Sequence, residues 1–154
     1  MFPWPADRAD YQYPVDGLLQ AYGVVSDAEL RAPKHLDANG YECMLVVKNG
    51  MAAGRTVGRA NGLESFTRTF CQYGIKQTSV EFAVLPYDGK RGAFSQPGDS
   101  GSVVLARDGR IVGVLTAGAG ATESTDISYV TPYWWVEEQI KAKYPGSFLY
   151  AVVQ

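Results

Sequence analysis

The residues best suited to chemistry lie in Phe94-Ser95-Gln96-Pro97-Gly98-Asp99-Ser100-Gly101-Ser102, which runs into the apolar stretch Val103-Val104-Leu105. A serine at the tip of a Gly-flanked turn suits acyl transfer. The glycines let the chain turn sharply and leave room above the hydroxyl for a carbonyl group. The same turn can aim the backbone N–H groups of Gly98 and Ser100 at one point, the geometry of an oxyanion hole. By itself Gly-Asp-Ser-Gly carries little weight, because these are ordinary turn formers.

A serine hydroxyl needs a base. The one histidine is His35, in Ala32-Pro33-Lys34-His35-Leu36-Asp37, ahead of the first β-type run, and it reads as a solvent-facing loop residue. Asp37 does not rescue it, since a triad's carboxylate must face the imidazole across the site. One histidine and two cysteines, Cys43 and Cys71, supply no metal-ligand set, so neither a metal nor a cofactor is expected. The cysteines read as small core residues in a reducing compartment; a disulfide between them would accompany secretion.

Bulk properties narrow the classes further. At 154 residues, 46% hydrophobic and 19% charged, the chain is expected to form one domain with a single core. A net charge of -2 with scattered Lys and Arg gives no electrostatic footprint for nucleic acid. No stretch approaches the ~18 apolar residues of a membrane helix. The opening residues have no apolar h-region, so a cytoplasmic location is expected, or a secreted one if an upstream segment precedes Met1.

The elements that must position Ser100 are mostly strands. Residues 1–38 read as an arm or linker, with a short helix near 15–22 and a helical turn after Ser26, capped by Glu29 three residues on and ended by Pro33. Residues 39–154 read as a β-barrel with a terminal helix. Strands are predicted at 41–48, 65–73, 78–87, 102–106, 110–117 and 126–131. Six Asn-Gly or Asp-Gly dipeptides, at 16–17, 39–40, 49–50, 61–62, 88–89 and 108–109, mark turns between them. Thr131 and Pro132 read as the N-cap and first residue of a helix reaching Lys143, with Pro145-Gly146 as its stop. Adjacent Trp134 and Trp135 point about 100° apart on a helix, so one is expected in the core and one partly exposed. Residues 148–153 read as a last β segment or tail.

The order of nucleophile loop, strand, hairpin, second strand, Asp126–Thr131 and terminal helix resembles the C-terminal barrel of chymotrypsin- and trypsin-like serine proteases. The likeness is specific over about residues 94–143. Val57-Gly58-Arg59-Ala60-Asn61-Gly62 and Leu85-Pro86-Tyr87-Asp88 resemble segments of fungal trypsin-like peptidase domains. The resemblance implies an antiparallel barrel of six or seven strands with Ser100 as nucleophile and Gly98 as first oxyanion donor. It implies that Thr116, Ala117 and Gly118 pair with an extended substrate. Phe94 falls at the floor of the family's specificity pocket, where it offers no carboxylate for Arg or Lys; its other reading is a core aromatic. Gln96 and Thr122 stand where the family's disulfide would be. Asp99 matches an aspartate that the family pairs with a new N-terminus; here it is expected to bond amides of its own turn.

In the family the catalytic histidine and aspartate sit on a preceding barrel, which has no counterpart here. The chain therefore reads as the C-terminal half of a serine endopeptidase, inactive alone. Its expected partners are a polypeptide substrate or the missing N-terminal barrel, with self-association through the exposed inter-barrel face as another outcome. The alternatives are a non-catalytic peptide- or protein-binding module derived from a protease, and a purely structural β domain.

Overall fold

Ser26 starts the first helix, α1 (Asp27–Arg31), with the reciprocal cap its spacing predicts: its side chain accepts from Glu29 N, and Glu29 reaches back to the Ser26 backbone. Such a cap contributes about 1 kcal/mol. The computed structural model describes residues 21–37, 39–70, 74, 76–88, 92–122 and 125–149. The helix predicted at 15–22, Cys71 and the end of the 148–153 segment lie largely or wholly outside those residues.

Seven strands follow: β1 (His35–Leu36), β2 (Glu42–Gly50), β3 (Gly54–Phe70), β4 (Lys76–Pro86), β5 (Val103–Ala106), β6 (Ile111–Thr122) and β7 (Thr125–Pro132). A helix, α2 (Tyr133–Lys143), ends the fold. Every strand pairing is antiparallel, in the order β1-β2-β3-β4-β7-β6-β5. β5 pairs back onto β2 through Val46↔Ala106, Val47↔Leu105 and Lys48↔Val104, so six strands close a barrel and β1 lies outside it along β2. The mainly β class with a terminal helix is thus as the sequence predicts.

Inside the barrel, Met44, Val46, Phe82, Val84, Val104 and Val130 meet, each at most 5% exposed. Burying one such side chain is worth roughly 1.5–3 kcal/mol. Val25 and Leu30 join the same core, and Val24 bridges Ile111, which ties the segment around α1 to the barrel.

Three details correct the sequence reading. His35 is not in a solvent-facing loop: it is half-buried on β1 opposite Cys43. β3 begins at Gly54, well before residue 65, because Asn61-Gly62 makes no turn. It sits where the β3–β4 register shifts, between Ala60 and Glu64, and lets a 17-residue strand bend. Thr131 is not a helix cap. It stays in β7 opposite Val114 and donates its hydroxyl to Glu81, leaving Pro132 as the N-cap without a side-chain bond. Cys43, by contrast, is buried and free, the small core residue that the sequence reading expects.

Beyond the bulge and the barrel residue Phe82, Ser65–Phe70 and Lys76–Glu81 continue as a two-stranded arm outside the barrel wall. Trp134 packs partly buried against the core and Trp135 is 46% exposed, which divides the pair as expected.

Candidate active site

Two successive β-turns build the loop before β5. Asp99 N donates to Gln96 O at 3.0 Å, with Pro97 and Gly98 at the centre. Ser102 N donates to Asp99 O at 3.0 Å, with Ser100 and Gly101 at the centre. Gly98 and Gly101 have φ of 105° and 88°, the left-handed values a type II turn requires at its third residue. Ser100 is thus the second residue of the second turn, and it is exposed. Among the described residues, the N–H groups of Gly98 and Ser100 meet no acceptor.

The loop is held from both sides. Gly101 N donates to Leu115 O at 2.8 Å and Leu115 N to Ser102 O at 2.9 Å, fixing it to β6 immediately before Thr116. Thr116, Ala117 and Gly118 are exposed and follow that junction, so the segment predicted to pair with substrate lies next to the Ser100 turn.

Beneath the turn Asp99 is fully buried. Its Oδ1 accepts Ala52 N at 2.8 Å and Ala53 N at 3.1 Å; its Oδ2 accepts Gln96 N at 3.1 Å and Lys48 Nζ at 2.8 Å. The Lys48 side chain is also fully buried and lies 5.7 Å from the centre of the Phe94 ring. Burial alone would raise the Asp99 pKa, but the ammonium and the three amides overcome it and hold the carboxyl well below its usual range. One of the four donors, Gln96, belongs to the turn itself, as the sequence reading expects, and three do not. The rest come from β2 and the hairpin after it. A side chain at Gly50 would run into the Asp99 carboxylate, so the hairpin approaches this closely only as glycine.

Lys48 is the residue that sequence reasoning missed, and its signal was present. Met44, Val46 and Lys48 alternate along β2 and share its inward face. A lysine in the third inward position needs a buried anion.

Phe94 is 1% exposed and belongs to the core, with its carbonyl accepting Thr56 Oγ1 at 2.7 Å and its N–H donating to Asp126 at 2.9 Å. Beside it, the hydroxyls of Ser95 and Ser128 are 2.6 Å apart. The ring is enclosed, with the Lys48 ammonium beside it and the Asp126 carboxylate on the residue's backbone N–H.

His35 is not brought to Ser100. It pairs with Cys43, seven residues along β2 from Gly50, which touches the Asp99 pocket. That is roughly 23 Å at ~3.3 Å per strand residue. Among the described residues, no group of three or more His, Cys, Asp or Glu could hold a metal. No described helix is long and apolar enough to cross a membrane.

No protein-family model matches the chain, and no curated protein matches it. Among solved structures, it is similar to a chymotrypsin from Cellulomonas bogoriensis, with 22% identity and a TM-score of 0.43. The alignment covers 65% of this chain and 46% of that one, so the chain spans less than half the length of that enzyme.

Proposed function

We propose that the chain is a serine-endopeptidase domain of the trypsin-like kind, a C-terminal half that carries Ser100 as nucleophile and whose histidine and aspartate come from a separate polypeptide segment. The observation behind this reading is the turn that lifts Ser100 into solvent with two acceptor-free amides beside it, braced by a buried ion pair. In the reaction Ser100 Oγ would attack a peptide carbonyl. The Gly98 and Ser100 amides would hold the developing oxyanion, while the substrate backbone pairs along Thr116–Gly118. Without the base the half-site keeps the oxyanion hole and binding alone, a contribution of ~10³–10⁴ over water.

The test is labelling by a fluorophosphonate probe, read by intact mass, with and without added imidazole as an external base. Slow labelling that imidazole accelerates and Ser100→Ala abolishes is the expected result. Rapid labelling without imidazole would show that the chain supplies its own base. No labelling of folded protein under either condition would favour a non-catalytic binding module, the reading that the groove described next also favours.

A further inference from the structure

Beyond the barrel, β4 has an open edge. β3 pairs with it along the whole arm, from Ser65↔Glu81 to Phe70↔Lys76, but β7 takes up its other side only at Phe82, Ala83 and Val84. Residues Lys76–Glu81 therefore present one edge with no strand against it among the described residues. A two-stranded ribbon is marginal by itself, and an open edge is a template for further pairing.

That edge is not bare surface. Gln77–Glu81 line a groove of about 730 Å³ together with Thr116, Pro132, Trp134 and Trp135. A groove lined by the start of α2 as well as by the edge admits one extended segment, whereas a second folded copy would have to bring in a whole arm or barrel wall. One polar group in the lining has no partner among the described residues: Trp134 Nε1 is enclosed and meets no acceptor. Glu81 is 5% exposed and accepts Thr131 Oγ1 on Oε2 at 2.7 Å. An extended chain brings alternating carbonyls and N–H groups, the chemistry that an open strand edge and an indole N–H both take. The groove also has a sign: Glu81 and Glu64 line it against the single guanidinium of Arg31, which Glu64 already pairs at 2.6 Å.

We propose that this groove binds an extended, basic polypeptide segment, which adds to β4 as a further strand along Lys76–Glu81. Six residues of strand span about 20 Å. The proposal does not rest on Ser100 being a nucleophile, and Ser100→Ala should leave this binding unchanged.

The probe is a fluorescein-labelled peptide, Lys-Val-Lys-Val-Lys-Val, with Glu-Val-Glu-Val-Glu-Val as its counterpart, followed by anisotropy and tryptophan emission. The basic peptide should bind at least tenfold more tightly. Glu81→Gln should cut its affinity about tenfold, and Trp134→Phe, which keeps an aromatic ring and removes the indole N–H, several-fold. Neighbouring N–H groups of a strand point to opposite edges. Of Thr78→Pro and Ser79→Pro, therefore, one should keep the fold by circular dichroism yet lose the peptide. Equal binding of the two peptides, or binding untouched by Glu81→Gln and by whichever proline variant folds, would overturn the proposal. So would sedimentation showing a dimer of the chain that these same variants dissolve, since the groove would then belong to a second copy.

Discussion

Asp99 and Asp37 are both buried carboxylates near opposite ends of β2, and each accepts main-chain N–H groups while pairing with a cation of the β2–β3 hairpin. Asp37 gathers its amides locally, from Asn39 and Tyr41, and its partner Arg59 keeps 28% of its side chain in solvent. Asp99 gathers Ala52, Ala53 and Lys48 from far along the chain, and neither member of its ion pair touches water. The first arrangement closes a turn. The second ties two distant loops together, and the loop it fixes is the one that displays Ser100. Range and dryness, rather than the presence of an ion pair, separate the carboxylate that closes a turn from the one that braces the loop carrying Ser100.

The largest effect should come from removing the drier cation. Lys48→Met leaves Asp99 charged, buried and unpaired, and should cost ~3–5 kcal/mol in chemical denaturation. Arg59→Met leaves Asp37 its amides and some access to solvent. It should cost about as much as one hydrogen bond to a charged group, ~1.5–3 kcal/mol. Equal losses would break the contrast, because dryness would then not matter.

Acid should sharpen it. Both carboxyls are held below their usual range, burial being outweighed at Asp99 by Lys48 and three amides, and at Asp37 by the Tyr41 and Asn39 amides and Arg59. A depressed native pKa means that the unfolded chain binds protons first as pH falls. Their contribution is therefore complete above an unfolded pKa of about 3.9 and disappears below it. Denaturation midpoints governed by these two groups should stay level from pH 7 to 5 and fall steeply below about pH 4. Asp99→Asn should flatten that fall more than Asp37→Asn. The smallest effect belongs to Ser100→Ala, an exposed position in a turn held by its neighbours, which should change stability by no more than about 0.5 kcal/mol. A larger loss would mean that the hydroxyl helps to hold the turn.

Much of this arrangement could be read from residue order. Ser26 and Glu29 announced α1, Asp108-Gly109 the β5–β6 hairpin, and the apolar run from Tyr41 to Lys48 the strand β2. Asn61-Gly62 misled, since the dipeptide that closes a hairpin also suits a bulge, and only the partner strand decides between them. The tie between Lys48 and Asp99 joins residues 51 apart, and local patterns carry no such distance. Thr131 looked like a cap because Thr-Pro precedes the helix, yet its hydroxyl found Glu81 on β4 instead. The groove beside β4 was invisible for a similar reason: an open edge is defined by the strand that does not come.

The pairing of β2 with β5 also shapes how the molecule is made. Val47 and Leu105 are neighbours in space, so closing the barrel means bringing together segments separated by most of the intervening chain. High contact order slows folding, because loop entropy is lost before the contacts that repay it exist. The same closure carries Asp99 onto Lys48. A chain that has formed its hairpins but not its seam has neither a closed barrel nor the braced Ser100 turn, so burial of the Lys48–Asp99 pair should report the last step of folding rather than an early one.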